Sequence, residues 1–389
     1  MQSWKYKLTK VVLISIFVLF SWLIISCNAP ALARERVFLN LSLDFLGEYK
    51  LPKINSLDTP VEGLSAITYD RRRDRFYAVA NDPSKDAPAR FYTLKIPINS
   101  NPTGEISIDQ VDIESVTQIN KNETTQGSII PKGIAVTPEQ TVFISGYSTT
   151  DDQIAPFVQE FNINGKMLKS LPIPERYFPN IDRSKQITKG IQKTSAFESL
   201  TFNPAGTIPT SGEPINLFTA TASALVQDQD PSTPAKAASR LLHYLISYAP
   251  VLIAEYFYPL DSSTSSLVEL ISVDKGGHFL SLERSGEGSD LRQKIFQITT
   301  GGATDTSRID SLKGEIKGIK PIKKKLLLDL NDLGIELDNL PSMTLGPRLK
   351  DGTQSLLLFS DNNSNPQQTT GLLLFRLNTT SQAIGKFSQ

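Results

Sequence analysis

The chain has 389 residues, with 40 Lys and Arg balancing 40 Asp and Glu, two His and one Cys. A balanced charge excludes the basic excess of a nucleic-acid binder, and 39% hydrophobic residues exclude a disordered chain. One cysteine rules out an intrachain disulfide and any CxxC metal or redox motif, and two histidines leave little room for a His-rich metal site.

The first ten residues carry Lys5, Lys7 and Lys10 and no acid, and Val11 to Ile25 is then almost wholly apolar. That run falls short of the roughly 20 residues that span a bilayer, and it reads as a secretory signal peptide. Two cleavage points compete. Ile24-Ile25-Ser26-Cys27 has the form of a bacterial lipobox, giving a signal peptide of residues 1–26 and a mature chain lipidated on Cys27. Ala31-Leu32-Ala33 is an A-x-A site that would release a soluble chain beginning at Arg34. The lipoprotein is the favoured form. An uncleaved N-terminal anchor is the third form. All three place the folded part outside the cytoplasm, at the periplasm or exterior, and cleavage leaves it slightly acidic once the leader's three lysines are gone.

Residues 27–42 read as a tether, 43–377 as the folded domain and 378–389 as a tail. Within the domain, short apolar or alternating runs recur between Gly, Pro, Asn and Asp, which is a strand-and-turn pattern. Phe76–Ala80, Val142–Ser145, Leu217–Ala220, His278–Glu283, Leu356–Ser360 and Leu372–Leu377 are examples. Ala235–Ile246 fits two or three helical turns, although Tyr244–Ile246 also reads as strand. Asp228–Ala238 and Thr300–Lys325 read as surface loops, and Lys323–Lys325 as a solvated edge.

Five segments share one form, a polar or small pair followed by an apolar strand, a turn and a second strand. Their second residues are Gly63, Gly133, Ser199, Leu270 and Ser342, at intervals of 70, 66, 71 and 72. A four-stranded unit repeated around an axis has this periodicity and avoids long exposed sheet edges. The expected fold is therefore all-β, a single β-propeller after the signal peptide, with six blades expected and five or seven as alternatives. An opening strand at Val37–Phe45 and a closing strand at Gly371–Leu377 would pair in one blade. A two-domain β-sandwich is the competing architecture.

No GxSxG elbow, HExxH, P-loop or GxGxxG motif occurs. His243 and His278 sit where strand-end or turn roles suffice for them. The candidates for chemistry are polar residues at the ends of the repeated strands, which a propeller brings to one rim: Glu62 and Glu198 at strand starts, and Asp82, Glu283 and Asp361 at strand ends. Oxygen ligands from several blades suit a hard cation such as calcium or another divalent ion, here on Asp82, Glu283 and Asp361. Arg90 and Arg284 suit bidentate binding of a phosphate or carboxylate.

The stretches VEGLSAITYDRRRDRFYAVANDPSKDAPARFYTLKI, APFVQEFNINGKMLKSLPIPERYFP, LLLDLNDLG and TLGPRLKDGTQSLLLFSDNN resemble the phytase-like domain, also described as esterase-like activity of phytase. The resemblance covers roughly Leu43 to Leu377 and implies an exported β-propeller associated with phosphoester or ester hydrolysis. It also implies acids where this chain has Lys132, Ala222 and Pro341. Two functions follow as expectations. One is an exported, metal-assisted phosphoester hydrolase, with Glu198 or Glu62 as base, Arg90 and Arg284 on the phosphoryl group, and a small phosphate ester or ester as substrate. The alternative is a non-catalytic binding propeller, tethered at the membrane by its lipid. A monomer is expected in either case.

Overall fold

The computed structural model describes residues 38–51, 55–56, 59–60, 63–80, 88–101, 104–119, 128–150, 153–192, 195–203, 215–230, 237–314, 317–337, 339–360 and 370–379. Cys27, Glu62, Asp82 and Asp361 therefore lie outside the described residues. The description below concerns the unit Phe38–Gln389.

Its strands form five four-stranded antiparallel sheets. Blade 1 contains Leu64–Asp70, Arg75–Ala80, Arg90–Lys95 and Asp112–Gln118. Blade 2 contains Ser128–Val136, Thr141–Thr149, Ile154–Asn162 and Met167–Ser170. Blade 3 is built from Phe197–Asn203, Ile215–Thr221, Ala238–Ile246 and Val251–Pro259. Ser266–Ser272, His278–Ser285, Arg292–Thr299 and Lys323–Asp329 make blade 4. Blade 5 takes Ser342–Arg348, Gln354–Ser360 and Gly371–Thr379 from the end of the chain and Leu41–Lys50 from its beginning. The first strand of each of blades 1 to 4, and Ser342–Arg348 of blade 5, neighbour one another in cyclic order around the axis. The fold is a five-bladed β-propeller.

Five blades, not six, follow from the repeat interval. Each interval of about 70 residues is one blade, and the surplus goes into excursions such as the hairpin Ile98–Ser100 with Ile106–Ile108 and the segment 300–322. Ring closure follows the expected pairing, with Leu43 opposite Leu377 and Phe45 opposite Phe375.

The core is divided among the blade boundaries. Five apolar clusters occur, each shared by two adjacent blades. In blade 5, Leu356 and Leu358 face blade 4, while Leu357 and Phe359 face blade 1. A strand sandwiched on both faces has no solvated side, so it reads as a continuous apolar run. That accounts for the LLLF and FYAVA runs.

Ala238–Ile246 is a strand throughout, and the helical alternative is not adopted. The segments expected as surface loops are also partly interior. Asp228, Thr306, Leu312 and Ile322 are buried, and Asp305 bridges Tyr256 on the outer strand of blade 3. The cause is Arg240, which is fully buried. It donates to both oxygens of Asp228 at 2.6 and 2.8 Å, to Glu255, and to the carbonyls of Ile309 and Asp310. Arg176 and Tyr177 bind the other oxygen of Glu255 at 2.8 and 2.6 Å. Two cations and two anions are thus withdrawn from water together, and they hold the 300–322 segment over an edge that would otherwise be open.

Candidate functional site

The inner strands run in the same sense around the axis, so one face of the propeller, termed upper here, gathers the inner-strand starts and the ends of the second strands. The lower face gathers the inner-strand ends. Leu41 pairs with Thr379, and Lys50 with Gly371, so the closing strand runs from the lower face to the upper.

Near the upper face the inner strands of blades 1 to 4 are bulged, whereas the register shift of blade 5 lies toward the end of its inner strand, between Leu345 and Arg348. Pairing with the second strand skips Ser65, Lys132, Glu198 and Val268. A bulge leaves one residue out of the ladder and re-aims its side chain. In blades 2 and 3 those re-aimed side chains meet: Lys132 Nζ lies 3.5 Å from Glu198 Oε1, with the side chains 20% and 13% exposed. Tyr147 belongs to the same neighbourhood. Burial pushes its phenol above the ordinary value, Lys132 opposes the shift and Glu198 adds to it.

Glycines make this geometry possible. Gly146 lies opposite the blade 2 bulge at φ 155°, and a Cβ there would sit 2.2 Å from the Ile130 carbonyl oxygen. Gly133, next to Lys132, would place a Cβ 2.5 Å from Ser145 Oγ. The chain packs too closely at both positions for a side chain.

On the axis lies Glu269, buried at the floor of a cavity of about 70 Å³ that opens toward the lower face. Its carboxyl accepts from Ser342 Oγ at 2.7 Å and from the amides of Leu270, Leu200 and Met343. Ser342 Oγ in turn accepts from the Ile67 amide. One carboxyl therefore joins the inner strands of blades 3, 4 and 5, and through Ser342 it reaches blade 1. Burial pushes it up to about 8, against the pull of those hydrogen bonds.

The residues singled out from the sequence are distributed as follows. Glu198 is at the upper mouth. Arg90, the first residue of the third strand of blade 1, is buried, donates to Tyr92 Oη at 2.6 Å and packs over that ring at 5.6 Å. Glu283 and Arg284 are neighbours on one strand and so face opposite sides. Glu283 turns toward blade 3, whose Tyr258 approaches Oε1 at 2.6 Å, as does Lys324 from the outer strand of its own blade, while the Asp261 amide approaches Oε2 at 2.9 Å. Arg284 turns the other way and donates to Asn339 at 2.5 Å. Lys324, expected on a solvated edge with its neighbours, is thus an interior partner, whereas Lys323 and Lys325 are exposed.

Of the three acids expected to hold a divalent cation, Glu283 has its two oxygens taken by a lysine, a phenol and an amide, and Asp82 and Asp361 lie outside the described residues. Among the described residues no group of three or more His, Cys, Asp and Glu side chains gathers to hold a metal. The histidines have local roles. His278 Nδ1 pairs with Asp274 at 2.8 Å in a turn. His243 stacks on Phe218 at 4.0 Å, and burial pushes it down to about 4.

Local sequence pattern does not reveal Lys132 as a partner of Glu198, Glu269 on the axis, or the Arg240 network. Glu269 did carry a signal, as an acid opening an otherwise apolar strand. The partners of Arg240 lie up to 70 residues from it, joined by no local pattern.

A propeller with a polar upper mouth is the class that this architecture defines. A family model described as "Phytase-like: Esterase-like activity of phytase" matches residues 59–364, most of the chain, and the protein belongs to that family. Among solved structures it is similar to a GH43_1 enzyme from Xanthomonas citri, with 9% identity, 87% of this chain and 91% of that one covered, and a TM-score of 0.42. It is also similar to a β-fructofuranosidase from Schwanniomyces occidentalis complexed with fructosyl-erythritol, with 12% identity, coverage of 85% and 59%, and a TM-score of 0.41. A putative 6-phosphogluconolactonase from Bacteroides uniformis shows 13% identity, coverage of 78% and 81%, and a TM-score of 0.34. Similarity of this order carries no functional information. No curated protein sequence matches the chain.

Proposed function

We propose that the protein is an exported hydrolase of phosphate esters or carboxylic esters, working at the upper mouth. The observation that supports this reading is the Lys132–Glu198 pair, placed by matching bulges on adjacent inner strands. An arriving anionic substrate draws the Lys132 ammonium onto a phosphoryl oxygen and frees Glu198 from its partner. Glu198 then takes a proton from a water as that water's oxygen attacks phosphorus; the bond to the ester oxygen breaks with its electron pair going to that oxygen, which takes a proton from Glu198 or solvent and leaves as the alcohol. Lys132 offsets the charge that develops on the phosphoryl oxygens, the task a divalent cation performs in metal-assisted hydrolysis.

The test is turnover by purified Arg34–Gln389 on a phosphomonoester, on phytate and on a short-chain ester, with calcium and with a chelator. Glu198→Gln is expected to lower kcat by about 10²- to 10⁴-fold, the usual contribution of a general base. No turnover on any of the three substrates by a folded sample would remove the hydrolase reading. A second reading, a non-catalytic binding propeller, is favoured by the lysine standing where the family resemblance implies an acid. Ligand binding without turnover in the same experiment selects it.

The leader pattern supports export, with a lipid on Cys27 or cleavage after Ala33. Mass spectrometry of the mature N-terminus decides between the two forms, because a start at Arg34 excludes the lipid.

A further inference from the structure

The upper face holds a second polar depression, between blades 4 and 5, with a volume of about 560 Å³. Thr264 and Ser266 border it where blade 4 begins, Ser285 and Glu287 where the second strand of that blade turns, and Asn339 on the connector to blade 5. Arg284 lies among them. The corner is tight: Gly286 has φ 72°, and a Cβ there would lie 2.2 Å from the Asp290 carbonyl oxygen.

Arg284 is not among the arginines held by an acid. Arg73, Arg75, Arg176, Arg240 and Arg376 each rest on a carboxylate. Among the described residues Arg284 has none, and its one side-chain bond is to the neutral Asn339 oxygen. That bond fixes the guanidinium without neutralising it. A planar cation held in place, with further N–H groups available and hydroxyls around it, matches the geometry of a phosphate. The volume lies within the range of small-molecule sites and exceeds what one phosphate fills, so there is room for the rest of a polyol.

We propose that this groove binds a phosphate group of a phosphorylated small molecule, with Arg284 as the anion anchor and Asn339 as its positioning residue. The inference rests on the hydrolase reading for its link to a polyphosphorylated substrate, one phosphate at the mouth and another in the groove. Binding itself requires no turnover. Glu287 on the rim repels anions and so sharpens the demand for a ligand that engages Arg284.

The test is calorimetric titration of the mature protein with inorganic phosphate, myo-inositol hexakisphosphate and, as the uncharged control, myo-inositol. Wild type, Arg284→Gln, Arg284→Lys and Glu198→Gln are compared, each checked for strand content by circular dichroism. The expected result is binding of both phosphates and not of inositol. Arg284→Gln should weaken it at least about tenfold, Arg284→Lys less, and Glu198→Gln should leave Arg284-dependent binding in place. Unchanged phosphate affinity in folded Arg284→Gln, or no phosphate binding by wild type, overturns the proposal. Arg284-dependent binding in a protein that turns nothing over defeats the hydrolase reading and leaves the groove standing. Turnover with binding and KM indifferent to Arg284 does the reverse.

Discussion

At the residue scale, the groups that hold the molecule and those proposed to act on substrate are distinguished by how completely their charge is met. Arg240 has both oxygens of Asp228, one of Glu255 and two carbonyls, at zero exposure. Lys132 and Glu198 face each other at 3.5 Å and keep some access to water. The first arrangement leaves nothing for a ligand, while the second can open. Arg240→Ala should therefore destabilise the protein by about 3–5 kcal/mol, because Asp228 and Glu255 would remain buried with one cation between them. Urea denaturation measures it; a loss below about 1 kcal/mol would show that water replaces the guanidinium. Neither role was legible in the sequence. Arg240 stood in an apolar run and Asp228 in a polar stretch, and the bonds that unite them depend on a fold already formed. In the sequence Lys132 is only a base where the family resemblance implies an acid, since spacing alone does not reveal that Glu198 faces it across a blade boundary.

At the element scale, the repeat was visible and its register was not. The strand–turn–strand form gave all five blades, because apolar runs and turn residues are local properties. Aligning those runs placed Gly63 and Leu270 with Gly133 and Ser199, whereas the residues that resume pairing after the bulge are Ala66, Gly133, Ser199 and Glu269. An extra unpaired residue has no compositional mark of its own, so the alignment slipped by three in blade 1 and by one in blade 4. The structural register puts Glu269, the residue that resumes pairing after the blade 4 bulge, on the axis. The bulges also connect backbone geometry to the mouth. Gly146→Ala would drive a methyl into the Ile130 carbonyl and force the inner strand of blade 2 to shift at Lys132. A cost of about 1–3 kcal/mol is expected from the backbone strain. The loss of turnover should exceed that of Val136→Ala, a change on the same strand away from the bulge. Equal losses would mean that the bulge does not position Lys132.

At the scale of the whole molecule, five blades leave a narrow axis, and one carboxyl occupies it. Inner-strand amides from blades 3, 4 and 5 point at Glu269, which gathers them as a central acceptor. The site is dry enough that burial outweighs those bonds and raises the carboxyl to about 8. The linkage has a definite sign. A carboxyl that holds its proton more tightly when folded stabilises the fold fully below its ordinary value of 4.5. That stability is lost as the pH rises from there through about 8. The slope from this single group can reach about 1.4 kcal/mol per pH unit inside the window. Glu269→Gln keeps the shape and cannot ionise, so it removes this slope while disturbing one or two of the hydrogen bonds. Urea midpoints of wild type and variant at pH 5, 6.5 and 8 should therefore converge as the pH rises, with the variant nearly flat where the wild type falls. Parallel profiles would mean that the axial carboxyl is already ionised at pH 5, its four donors having overcome the burial. The axis would then be held by charge and not by a proton.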